Sequence, residues 1–443
     1  MKKGIFAGLR CVAVFAATLL LCFALLLLSA LIPNGAIEEN MKASALTFKT
    51  AEAFPSSGGT LNTVSDNYAD AILLGISWNM GRGDPITAIL DTGYNSGGKA
   101  GANYGLYLTV FEGADPDTDY TRYAHGSAAF LRFFHLFTDI KGVKLIGGAC
   151  ILILLCLNLA LLFIKGHRGL CAALAAAFLL IGFWNISLSL EYIPTFIIAL
   201  LILPAYILLE KRGDTPLLLL SAAGGTLTAF FDFLTTETVV LLLPMAMVTA
   251  IRGTESRLGN LRENIFLYLK NVAAFLGGYG SLFIFKWAAA TAVTGENKFL
   301  AALSSAGQRV NGEIEGINGP LSALPAALLA NLTAALGGED GARINYPLAI
   351  GGTLLFLGLL ASFIFLFRRP DVDFTAGGLL LILAAAVPLR FMVLSNHSYL
   401  HCFFTHRALV VTIFALLAVA ALNTRLCPVK KGKKKIKKRG AKG

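Results

Sequence analysis

Ten apolar runs punctuate the chain, at about 11–32, 143–164, 170–190, 193–209, 216–231, 238–251, 271–290, 346–367, 374–394 and 408–424. Most approach the roughly 20 residues that a helix needs to cross a membrane's hydrocarbon core. The fifth and sixth runs are shorter and flank Asp232-Phe-Leu-Thr-Thr-Glu237, which predicts a tight helical hairpin. The pattern as a whole predicts an all-α, polytopic membrane bundle of about ten spans with two large, partly helical extracytoplasmic loops. Residues 1–32 read as an N-terminal anchor helix, 33–142 as the first loop and 143–290 as spans two to seven. Residues 291–345 read as the second loop, 346–424 as spans eight to ten and 425–443 as a basic cytoplasmic tail. Loops longer than about 15 residues usually fold or carry function.

The first run follows Lys2, Lys3 and Arg10. A signal peptide has an apolar part of roughly 7–15 residues. The run over 11–32 exceeds that, so an uncleaved anchor is the reading.

Composition narrows the class. Of 443 residues, 56% are apolar and 14% charged, against about 25% charged in soluble domains. That excludes a disordered chain and a soluble enzyme. Cys11, Cys22, Cys150, Cys156 and Cys171 lie inside apolar runs, which makes neither a disulfide framework nor a zinc spacing. The net charge of +11 is local, because ten basic residues and no acid fill the last 19 positions. A basic cluster beside a span is attracted to anionic lipid, at about 1 kcal/mol per residue. The tail therefore reads as a lipid contact and not as a nucleic-acid site.

Charge also sets sidedness. With the N-terminus inside and spans alternating, 23 of the 37 Lys and Arg fall inside and 20 of the 26 Asp and Glu outside. Short connections such as Lys165-Gly-His-Arg168 and Arg368-Arg369 carry most of this signal. The chain then reads as a multi-pass cell-membrane protein with both termini cytoplasmic.

Ionisable residues near hydrocarbon are costly and often functional. Here Glu191, Asp232, Glu237, Lys286, Arg390 and Arg407 gather at the expected outer ends of spans, with Asn396-His-Ser-Tyr-Leu-His401 at the same level. In the first loop, Asp66 and Asp70 are four residues apart, so a helix places both carboxylates on one face. Such a pair raises one pKa and suits a general base. It could also hold a divalent cation, Mg or Mn, through oxygen. An ordinary acidic first turn accounts for the same residues. Arg122 and His125 in Tyr120-Thr-Arg-Tyr-Ala-His-Gly126 could bind an anionic headgroup, since Arg matches phosphate with a planar fork. The stretch Phe130-Leu-Arg-Phe-Phe-His-Leu-Phe137 reads as a membrane-surface helix with Arg132 snorkelling. Arg82-Gly-Asp84, followed by Pro85, reads as a turn. His397 and His401 are helix-spaced without a nearby carboxylate, which favours hydrogen bonds to a phosphate or sugar over a metal. No phosphate-loop or dinucleotide glycine pattern occurs.

These residues and their organisation resemble the C-type membrane glycosyltransferases (GT-C). The resemblance rests on the spans, the large loop after span one, a late second loop, and an early acidic pair matched by Asp66 and Asp70. Tyr120-Thr-Arg-Tyr-Ala-His-Gly126, Phe230-Phe-Asp-Phe-Leu-Thr-Thr236 and Asn396-His-Ser-Tyr-Leu-His401 also look like segments of uncharacterised bacterial members. It implies a glycosyltransferase that uses a polyprenyl-phosphate-linked sugar at the outer membrane face, with a glycan, lipid or protein acceptor. Asp66 or Asp70 would be the base. Arg122, His125, Asp232, Arg390, His397, His401 and Arg407 would form the substrate-binding set, with Arg and His groups on the lipid phosphate. The alternative is a transporter or flippase for a lipid-linked or anionic solute, built on helices broken at Gly224-Gly225, Gly277-Gly278 or Pro388.

Overall fold

The computed structural model describes residues 2–311, 314, 317, 319–370 and 374–424. The basic tail and its expected lipid contact lie outside the described residues. The fold is 77% helical. Among the described residues the only strand pair is Gly93–Tyr94 against Thr118–Asp119. Among the described residues, seven helices are long and apolar enough to cross a membrane: Phe6–Ala30, Ile140–Ile164, Leu190–Arg212, Leu261–Thr294, Pro347–Phe367, Phe374–Val393 and Cys402–Asn423. The third, fifth and sixth apolar runs form the shorter helices Arg168–Leu180, Asp214–Phe231 and Thr238–Thr254.

Helix starts follow side-chain caps, which satisfy otherwise orphaned N–H groups. Asp139 accepts from the Lys141 and Gly142 amides at the head of Ile140–Ile164, and Asn260 accepts from the Glu263 amide at the head of Leu261–Thr294. The Leu261–Thr294 helix runs unbroken for 34 residues and stops at Gly295, which adopts a φ of 74°.

The Asp214–Phe231 helix lies along this long helix at glycine contacts. A Cβ on Gly225 would sit 2.0 Å from the Phe275 carbonyl oxygen, and one on Gly278 would sit 2.3 Å from that of Ala222. Small residues let helix backbones approach this closely. Gly225 and Gly278, expected at helix breaks, therefore pack two continuous helices together. Gly225→Leu is expected to lower thermal stability in detergent by about 1–3 kcal/mol. Gly277→Leu, where a Cβ meets nothing within 4 Å, is expected to leave the melting curve unchanged.

The first loop folds as a helical layer on one end of the bundle. Asn34–Phe48, Asn67–Asn79, Ala102–Tyr107 and Ser127–Phe134 enclose an apolar core that includes Met41, Phe48, Leu74, Trp78, Leu106 and Leu131. Two buried cations fasten this layer. Lys286, on the long helix, is fully buried and donates to the Ile89 and Leu90 carbonyls at 2.8 and 2.7 Å. Arg132 corrects the snorkelling expectation, because it too is fully buried. It donates to the carbonyls of Ser29 (2.9 Å), Ser77 (2.6 Å) and Ile32, and to the Asn34 side chain (3.0 Å). The frayed carbonyls past the first membrane helix supply the acceptors that make burial of a guanidinium tolerable.

The segment 291–345 contains the helices Lys298–Asn311 and Pro320–Ala335. The second buries Ala327, Ala330 and Ala334, and Asn331 on it donates to the Ser398 carbonyl at 2.8 Å.

Candidate functional site

Asp66 caps the Asn67–Asn79 helix by accepting from the Ala69 amide at 2.7 Å. Asp70 lies one turn further, as the spacing predicts. Both are buried, at 4% and 0% exposure. The two carboxylates nevertheless have different partners. Asp70 forms a 2.6 Å ion pair with Lys144, near the start of the Ile140–Ile164 helix, and accepts from the Leu190 amide at 2.7 Å. Asp66 is hydrogen-bonded to the Glu191 carboxyl, and its own amide donates to Ser189 Oγ at 2.6 Å. Burial pushes both Asp carboxyls above the ordinary range, against the pull of Lys144.

Those partners bear on a cation. Both Asp70 oxygens are engaged by an ammonium and an amide, and among the described residues no group of three His, Cys, Asp or Glu is placed to hold a metal ion.

Arg407 approaches the same acids from the last membrane helix. Its guanidinium lies 4.5 Å from the Tyr192 ring centre and donates to the carbonyls of Asn62, Asn185 and Phe403 at 3.1, 3.3 and 2.9 Å. One donor, Nε, has no partner among the described residues.

A second polar centre forms at the turn 232–237. Asp232 accepts from the Leu234 and Thr235 amides and closes the turn. Leu234 there takes a φ of 70°, unusual for a branched residue. Arg390 forms a fork with Glu237 at 2.8 and 2.9 Å and donates to the Leu234 carbonyl at 2.7 Å. His397 donates from Nε2 to that same carbonyl at 2.8 Å. Asp232 is within electrostatic reach of Glu191, so the two centres are adjacent.

Arg122 and His125 lie where the first loop packs against the 232–237 turn. The Gly126 amide docks on the Phe230 carbonyl at 2.8 Å, which seats His125 among Tyr120, Tyr123 and Phe233. His125 is fully buried and burial holds it down at about 3, so it stays neutral and has no face for a headgroup. Arg122 stacks over Tyr120 at 4.2 Å and over Tyr123 at 5.5 Å.

A cavity of about 390 Å³ opens beside the acid cluster. His401, Arg343, Asp340, Phe54, Phe403 and Val64 are among its lining residues. Phe54 and Phe403 meet edge to face at 5.7 Å. Asp66 follows Val64 by two residues and is not itself among the lining residues. The structure thus brings together Asp66 and Asp70, with Arg407 beside Tyr192 and Glu191, and Asp232, Arg390 and His397 at the neighbouring turn, against which His125 packs. His401 reaches both through ring contacts with His397 and Phe404, the latter touching Tyr192. Lys144 and Arg343 were not legible as partners, because each meets its counterpart only through tertiary folding. Glu191 was visible as a lone acid opening an apolar run.

No known protein-family model, curated protein or solved structure matches this chain.

Proposed function

We propose that the protein is a GT-C-like membrane glycosyltransferase that uses a polyprenyl-linked sugar at the outer face of the cell membrane. The observation that carries this reading is the buried carboxyl cluster around Asp66, set beside a cavity that offers His401 and Arg343 with aromatic walls. Asp66 is the base that takes the acceptor hydroxyl's proton. His401 and Arg343 hold the phosphate of the leaving lipid and stabilise the charge that develops on it. Admission of the acceptor requires the Val64 wall to move aside. Asp70, held by Lys144, fixes the Asp66 turn and is not the base. The cluster works without a nucleotide loop. The transporter alternative is weakened, since Asp214–Phe231 and Leu261–Thr294 pass through their glycine pairs as continuous helices.

In this reading the ten apolar runs are ten spans and both termini are cytoplasmic. Reporter fusions after Arg168, Arg212, Gly259 and Arg369 are expected to report the inside, and fusions within 33–142 or 296–340 the outside. A fusion after Gly259 that reports the outside would overturn the arrangement. The function itself is tested by analysing glycans and lipid-linked sugars in a deletion strain. Accumulation of an unused lipid-linked sugar, relieved by the wild-type chain and not by Asp66→Asn, is the expected outcome. Unchanged pools would remove the assignment.

A further inference from the structure

The segment after the third apolar run is stitched to the acid-bearing helix at two points. Ser189 Oγ accepts the Asp66 amide and the Leu190 amide donates to Asp70 Oδ1. These bonds fix the two residues that lead into Glu191, whose carboxyl meets that of Asp66. Glu191 is 5% exposed, and its Oε1 has no partner among the described residues. Two buried carboxyls in contact cannot both ionise at ordinary cost. We infer that Asp66 and Glu191 hold one proton between them, with Glu191 donating to the Asp66 carboxylate, and that Glu191 is the positioning residue that keeps Asp66 competent as a base.

The surrounding charges agree. Asp70 and Lys144 neutralise each other at 2.6 Å. Asp232 adds negative charge near Glu191, while Arg407, stacked at 4.5 Å on the Tyr192 ring, adds positive charge near it. A single negative charge on the pair, opposite one guanidinium, is the balanced state. A second would lack a counter-charge.

The inference rests on the glycosyl-transfer reading for its use. In the step, Asp66 takes the proton of the acceptor hydroxyl as that oxygen bonds to the anomeric carbon. The bond from that carbon to the lipid phosphate breaks, and the phosphate leaves with the electron pair. The doubly protonated pair then releases one proton to solvent. Because the pair titrates as a unit, its apparent pKa values belong to both residues.

Infrared difference spectra of the full chain in lipid nanodiscs test the proton without any assay of transfer. At neutral pH the wild type is expected to show a protonated-carboxyl stretch that is absent in Glu191→Gln and retained in Asp66→Asn. Identical carboxyl regions in wild type and Glu191→Gln across the pH range would overturn the inference. A pH–rate profile is the second arm. Wild type is expected to give a bell, and Glu191→Gln is expected to keep the acid limb and lose the alkaline one. An unchanged bell would also overturn it. The two ideas fail separately. A shared proton in a protein without transferase activity removes the transferase reading and leaves the pair. Transfer without the infrared signal removes the pair alone.

Discussion

Asp66→Asn is expected to insert and fold like the wild type and to lose glycosyl transfer by about 10²–10⁴-fold, the range a positioned general base contributes. The amide still presents an oxygen to the Ala69 N–H, so the helix cap at 2.7 Å survives. The proton acceptor does not. Asp70→Asn is expected to behave differently. It strands Lys144, which is 20% exposed along its side chain, and breaking a buried pair costs about 3–5 kcal/mol. Its signature is a lowered melting temperature and poor recovery of folded protein, with activity lost in proportion to fold. Measured together by thermal unfolding and by transfer per folded molecule, the two variants separate a chemical role from a structural one. Equal specific activities in wild type and Asp66→Asn would remove Asp66 as the base.

The second large effect is expected at Arg132. Arg132→Met leaves the Ser77 and Ile32 carbonyls without this donor, while the Ser29 carbonyl keeps the Ile32 amide. Each unpaired group costs roughly 1–3 kcal/mol, so a loss of at least about 2 kcal/mol is expected. Arg132→Lys restores only part of it, because an ammonium cannot span acceptors laid out for a planar fork. Thermal unfolding of the purified variants in detergent checks both. A wild-type melting temperature for Arg132→Met would show that these bonds contribute nothing net.

The contrast between Asp66 and Arg132 marks how far the residue pattern could be read. Apolar periodicity predicts the helices because burial in lipid or protein is a local property of each run. The Asp66–Asp70 spacing predicts a shared helix face for the same reason. It could not foretell that Lys144 would claim one acid and Glu191 the other, since those partners are more than 70 residues away. Arg132 looked like a surface residue because its acceptors are backbone carbonyls, which leave no mark on side-chain sequence. His125 looked like a ligand-binding histidine, yet the docking of Gly126 on Phe230 encloses it. The helix Pro320–Ala335 escaped notice because its 16 residues fall short of a span and its buried face is built from alanines.

At about 1.5 Å per residue, the Leu261–Thr294 helix measures about 51 Å, against roughly 30 Å of hydrocarbon. It must therefore tilt or project, and the choice depends on bilayer thickness. Lys286 ties this helix to the Ile89 and Leu90 carbonyls of the helical layer built from the first loop. That layer also carries the Asn67–Asn79 helix with Asp66 at its head. A change in acyl-chain length is thus converted by a single rigid rod into a displacement of the layer that holds the acids, which makes the thickness of the host membrane an input to the site.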